Sequence, residues 1–234
     1  MPNKTVDLVN LWAAFEAKYP DGSIEDFCRY TLIKERESRQ RGDMMGGVIP
    51  AHPDAVLLKL IGRIHKLNAA YGVAALEGTG LHQLEEMGML LTILQLKNPR
   101  KTEVIYANLM ELSSGTDMLN RLRQRGFLSE TADRQDKRSK RLKLTPAGMA
   151  AIERATGRLG RMAHMMMIDT PEEDQHLCVQ LLRNMEIKLA ARWTQDKTKS
   201  FDEVYKELVP AGVQGVVKDA NEQDRAARRF PDRK

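Results

Sequence analysis

The chain has only two cysteines in 234 residues, Cys28 and Cys178. Two thiols that far apart exclude a disulfide framework and suit a reducing compartment. No stretch approaches the roughly 18 consecutive apolar residues a membrane helix needs, so no membrane partner is expected. Met1 is followed by Pro2-Asn3-Lys4-Thr5-Val6-Asp7 rather than by a basic and then apolar leader, so the expected location is the cytoplasm. The five histidines show no metal-ligand spacing with cysteines or acids, and neither a metal nor another cofactor is expected. A nucleophile elbow, a phosphate-binding loop and a dinucleotide fingerprint are all missing, so the chain is not read as an enzyme.

What is present is a modest positive charge, unevenly placed. The net charge is +5, but residues 97–143 alone carry twelve bases and six acids, so the remainder sums to −1. Positive charge clustered in one-fifth of a chain is what a phosphate backbone attracts.

Apolar spacing predicts a mainly α protein. Val6, Leu8, Leu11, Trp12 and Phe15 mark a short helix closed by Tyr19-Pro20-Asp21-Gly22. Ser23 and Asp26 start a second helix, with Ile24, Phe27, Cys28 and Leu32 as its stripe. Gly42, Gly46, Gly47, Pro50 and Pro53 mark a joint, so residues 1–50 read as a helical N-terminal extension. Leu57, Leu60, Ile61, Ile64, Leu67 and Tyr71 define a long helix, and residues 82–96 a helix apolar on most sides, hence central. Two shorter helices follow over 101–110 and 113–125. Val104, Ile105 and Leu109 point inward from the first and Met118, Leu119 and Leu122 from the second. Ser113 or Ser114 is the expected cap of the second, and Gly126 suits its left-handed end. Gly115 is expected to loosen its first turn at a cost of up to about 1 kcal/mol.

The period then changes to two. Residues 127–131 and 140–144 read as strands, joined by a polar, basic tip from Ala132 to Ser139. Thr145-Pro146 restarts a helix of about six turns, and Thr170-Pro171-Glu172-Glu173 predicts a capping box before the last strong helix. The chain past Trp193 is a charged C-terminal tail, residues 193–234. Phe201, Val204, Tyr205 and Leu208 suggest one short helix there, and residues 221–234 are expected to be disordered.

Helix, helix, short helix, short helix and basic hairpin form the layout of a winged helix-turn-helix over residues 82–145. Residues 113–125 would present Ser113, Ser114, Thr116, Asp117, Asn120, Arg121 and Arg123 to a major groove. The hairpin tip would reach the neighbouring minor groove, where arginine is favoured. Arg134 belongs to that tip, and Lys101, Lys137 and Lys140 would neutralise phosphates.

Two stretches resemble the MarR family of bacterial regulators. Asp136-Lys137-Arg138 with Leu142-Lys143-Leu144-Thr145-Pro146-Ala147-Gly148 is similar to the family's wing pattern, Asp-x-Arg followed by Leu-Thr-x-x-Gly. Residues 118–128 resemble the end of its recognition helix. The resemblance spans about residues 57–189. It implies a homodimer built by long dimerisation helices, here 51–81 and 146–192, with the small two-stranded hairpin as wing. It also implies that Arg138 enters the minor groove while Asp136 holds it by a charge-assisted hydrogen bond. Double-stranded DNA and a second copy of the chain are the implied partners, with a small apolar or aromatic-acid effector. The implied function is a sequence-specific transcriptional regulator, a repressor released by that effector. Asp117 stands where many members carry a basic or neutral residue. It would read a cytosine amino group or, the preferred reading, be a helix-start charge that suits the dipole. Gln135 replaces a frequent wing arginine.

Two other functions fit parts of the pattern. A winged helix can be a protein-interaction module without DNA affinity, but such a module needs no arginine-rich tip. Cys28 near Tyr30 admits a redox sensor, but its place on an apolar stripe predicts a packed thiol, as does that of Cys178. Met162 and Met165-Met166-Met167 admit an effector pocket, and their spacing favours dimer core instead.

Overall fold

The computed structural model describes residues 3–39, 52–133 and 140–210. The chain divides into two compact units, residues 1–50 and 51–234.

Among its described residues the first unit has two helices, α1 (Lys4–Lys18) and α2 (Ile24–Arg39). Asn3 caps α1 by accepting from the Thr5 amide at 3.1 Å. Ser23 and Asp26 cap α2 reciprocally: the Ser23 amide donates to Asp26 Oδ2 at 3.0 Å and the Asp26 amide to Ser23 Oγ at 3.2 Å. The seam is aromatic. Phe15 and Phe27 are buried, and Trp12, Tyr19 and Tyr30 pack on Phe15. Cys28 is exposed, not packed, because its side of α2 faces away from that seam.

The second unit is built round α4 (Leu84–Leu96), which buries Met87, Met89, Leu90 and Ile93. It packs against α3 (Pro53–Leu76), α5 (Lys101–Ala107) and α6 (Leu112–Gln124). It also packs against α7 (Pro146–Met167) and strand β2 (Lys140–Leu144). Helices α5 and α6 bury Val104, Ile105, Met118, Leu119 and Leu122 into the same core. Leu109, expected inward, is exposed, because the chain turns out of α5 with Leu109 at φ +53°.

The N-cap of α6 lies two or three residues before the serines expected to supply it. Glu111 is its N-cap and offers no side-chain hydrogen bond, so Ser113 and Ser114 lie in the first turn. Gly115 does not loosen that turn. It is buried, and a Cβ there would lie 2.7 Å from both Cγ1 and Cγ2 of Ile105, so its hydrogen lets α5 and α6 approach. The far end closes as a Schellman motif: Gly126 sits at φ +77°, its amide donates to the Arg123 carbonyl at 2.8 Å, and the Phe127 amide to the Leu122 carbonyl at 3.0 Å.

Strand β1 (Leu128–Ala132) pairs antiparallel with β2, from Leu128 opposite Leu144 to Ala132 opposite Lys140. Leu128 and Leu142 turn into the core while Lys140 and Lys143 stay in water. Thr145 then caps α7, accepting from the Gly148 amide at 3.1 Å and donating to the Gly126 carbonyl at 2.6 Å. The glycine of the Leu-Thr-x-x-Gly pattern has a steric cause: a Cβ on Gly148 would stand 2.1 Å from the Phe127 carbonyl oxygen.

Helix α8 (Glu172–Ala190) has no buried residue. Its N-cap is Pro171, which has no capping side chain, so the expected box at Thr170 does not form. Cys178, on α8, is exposed. Beyond it lie α9 (Trp193–Asp196) and α10 (Phe201–Leu208), so the described part of the tail is helical where Phe201, Val204, Tyr205 and Leu208 suggested. The segment expected to be disordered, 221–234, lies outside the described residues. Among the described residues no helix is long and apolar enough to cross a membrane.

Candidate nucleic-acid interface

About 100° per residue sorts the side chains of α6. Gly115, Met118, Leu119 and Leu122 face the core, and Ser113, Ser114, Asp117 and Arg121 form an exposed stripe on the opposite side. Thr116 and Asn120 are half-buried along one edge of that stripe. Six of the seven residues expected on this face therefore share one outward side, and the seventh, Arg123, is exposed but turned to Glu130. Asp117 is not a helix-start charge, however. It lies in the second turn, and the first turn contains no acid.

Around the stripe, carboxylates pair with bases from several elements. Glu86 is buried on α4. It accepts from the His82 amide at 2.8 Å and pairs with Arg125, just past α6. The same arginine donates to the Gly80 carbonyl at 2.9 Å and covers the Phe127 ring. Asp133, expected in a solvated tip, is instead buried at the base of the hairpin. Arg100 Nε reaches its Oδ2 at 3.2 Å and Arg141 Nε at 2.8 Å, while Arg141 also donates to the Asn98 carbonyl at 3.0 Å. Burying a carboxylate is tolerable here because two guanidinium groups and their charge-assisted hydrogen bonds replace its water. Glu130 on β1 takes Lys101 at 2.6 Å and Arg123 at 3.2 Å.

These pairs divide the basic segment. Arg100, Lys101, Arg123, Arg125 and Arg141 serve structure. Lys101, expected on phosphate, and Arg123, expected on the groove side, are both engaged with Glu130. Lys97, Arg121, Lys140 and Lys143 form no ion pair among the described residues. Arg134, Asp136, Lys137 and Arg138 lie outside the described residues. Reading by charge alone could not separate bases committed to buried acids from those left for a ligand. The hint was available at Asp133, an acid next to a strand rich in arginine and lysine.

One more pair touches the stripe. Lys197, in the tail, reaches the N-cap carboxylate Glu111 at 3.0 Å.

No family model matches the sequence, and no curated protein matches it. Solved structures do. The PcaV transcriptional regulator of Streptomyces coelicolor, solved with its natural ligand, superposes with a TM-score of 0.52 at 20% identity, over 61% of this chain and 96% of its own. A cysteine-to-serine mutant of MarR from E. coli complexed with operator DNA gives 0.52 at 20% identity, over 55% of this chain and 92% of its own. The chain has the MarR winged-helix fold. BpsR of Bordetella bronchiseptica, whose DNA binding is regulated by 6-hydroxynicotinic acid, gives 0.51 at 19% identity, over 55% of this chain and 97% of its own. Nearly the whole of each neighbour is used, so the MarR fold accounts for little more than half of this chain. In that fold α5 and α6 occupy the places of the helix-turn-helix and β1–β2 that of the wing hairpin.

Proposed function

We propose that the protein is a cytoplasmic, homodimeric, sequence-specific regulator of transcription that binds double-stranded DNA and acts as a repressor. The observation that carries this reading is the outward side of α6. Ser113, Ser114, Asp117 and Arg121 are presented to solvent, the helix is closed at its C-terminal end by a Schellman motif, and Lys140 and Lys143 on β2 have no ion pair among the described residues. A helix of this width fits a major groove, with its first turns on base edges. In this reading Thr116 and Asn120 border the contact, while Lys137 and Arg134 follow the phosphates. Arg138, held by Asp136, enters the minor groove. A structural neighbour complexed with operator DNA supports the assignment.

Dimerisation is proposed from apolar side chains with no partner in one copy. Leu57, Leu60, Ile64, Leu67 and Tyr71 repeat at alternating steps of three and four along α3, and all are exposed. That is the spacing of a helix–helix seam. Helix α8 likewise exposes Val179, Leu181, Leu182 and Ile187. Two copies would place two recognition helices on half-sites about one helical turn apart.

An effector is proposed for a cavity of about 460 Å³ between α3 and α7. Tyr71, Ala75, Met162 and Met165 give it an apolar wall, and Arg158 and Arg161 supply cations for a carboxylate. Neighbours solved with a natural ligand or regulated by an aromatic acid support a small aromatic acid as the occupant. Binding would release DNA by favouring a lobe spacing that no longer matches the half-sites.

The test is a mobility shift on fragments selected from the source genome. The protein is expected to retard a subset of them. Arg121→Ala and Arg138→Ala should each weaken binding, and each should flatten the dependence of log affinity on log salt by about one phosphate's worth if its contact is to the backbone. Full-strength binding by both variants would reject the interface. No retardation by the unmodified protein at low salt would favour the protein-interaction reading.

A further inference from the structure

Glu111 occupies an awkward place for a DNA-binding surface. It is the N-cap of α6 and its side chain is 62% exposed, one turn from Ser113 and Ser114. A carboxylate at the mouth of a recognition helix opposes the phosphates that the helix must approach. Its counter-charge comes from the far end of the chain. Lys197 Nζ sits 3.0 Å from Glu111 Oε1, and the lysine side chain is only 21% exposed. The ammonium also stands 5.0 Å from the centre of the Trp193 ring and 5.6 Å from that of Tyr106 on α5. Two aromatic faces and a carboxylate together fix one cation.

The tail is built to deliver that lysine. Arg192 holds Asp196 at 3.1 Å and also pairs with Glu207, and Lys199 reaches Glu207 at 2.8 Å. These bonds fold α10 back on α9 and keep the Arg192–Lys199 turn in shape. Nothing in the core requires the segment, since neither α9 nor α10 has a buried residue.

We infer that the C-terminal segment sets the charge at the entrance to the recognition helix: Lys197 neutralises Glu111, so that this acid does not repel DNA. The inference rests on the DNA-binding reading. Lys197 is a positioning residue here, acting through Glu111. Its consequence has a sign. Removing the lysine leaves an uncompensated carboxylate facing phosphate, while removing the acid leaves an uncompensated ammonium.

The experiment measures affinity for a duplex of arbitrary sequence, about three helical turns long, at about 50 mM and about 200 mM salt. Full-length Lys197→Gln should bind about threefold more weakly at the lower salt, and Glu111→Gln about threefold more tightly. Both differences should shrink at the higher salt. The doubly exchanged chain, Glu111→Lys with Lys197→Glu, should return close to the starting affinity. A pair that merely fastens the tail predicts the opposite pattern, because either single change would undo the same fastening and shift affinity the same way. Same-direction shifts, or no shift in either variant while the unmodified protein binds, overturn the inference. Failure of the unmodified protein to bind the duplex at low salt overturns the DNA-binding reading itself, and this inference with it.

Discussion

Gly115 shows how one residue's cost can be misjudged from local rules. In an exposed helix, glycine loses about 1 kcal/mol to alanine, so Gly115→Ala would be expected to stabilise α6. In the folded chain the new Cβ would sit 2.7 Å from two carbons of Ile105, a buried branched side chain on a short helix. Overpacking of that kind costs about 1–3 kcal/mol and exceeds the propensity gain. Gly115→Ala is therefore expected to lower the urea midpoint, and the drop that it causes should be smaller in an Ile105→Ala background, which lacks both clashing carbons. Gly148 follows the same logic against backbone instead of side chain, and there the neighbouring carbonyl cannot turn away.

At the scale of elements, the stability of the tail is electrostatic, and this gives it a pH dependence. Hydrogen bonds from Lys199 and then Arg192 hold the Glu207 carboxyl below the usual carboxylate range. The Ser200 amide and hydroxyl do the same for Glu203. A carboxyl whose folded pKa is depressed contributes stability above its unfolded value and loses it as pH falls through the folded one. The α9–α10 turn should thus be unchanged from neutral pH down to about 5 and open progressively below about 4. Amide chemical shifts of residues 203–208 followed against pH would register this, and persistence of native shifts well below that range would contradict it. The wing differs from the tail. Its base is a buried carboxylate between two guanidinium groups, so it is tied to the core through Asp133 as well as through Leu128 and Leu142.

At the scale of the molecule, the winged-helix core contrasts with the helices around it. Leu90, Ile105, Leu119, Leu122 and Leu142 are fully buried, whereas α8 buries nothing and α3 buries only its last turns. Apolar area left in water on that scale supports the proposed dimer seam. Ile64→Glu, in the middle of the proposed α3 seam, should turn a dimer into a monomer by sedimentation and weaken DNA binding by removing the second half-site contact. An unchanged sedimentation coefficient would place the interface elsewhere. The same scale explains the charge distribution. Of the twelve bases in residues 97–143, five are engaged by Glu86, Glu130 and Asp133.

Local periodicity and punctuation determined the order of helices and strands, the strand at 140–144, the Thr145 cap and the left-handed Gly126, because these depend on residues within a turn or two of one another. The outward side of α6 was legible for the same reason: helical spacing alone separates Arg121 from Leu122. Partners were decided only by the fold. That Asp133 is buried on Arg100, that Glu86 meets Arg125 and that Lys197 stands over Glu111 depend on contacts between segments far apart in the chain, and whether Arg123 meets DNA or Glu130 depends on how β1 packs back on α6. Periodicity cannot register them, since a charge looks the same in sequence whatever it meets in space.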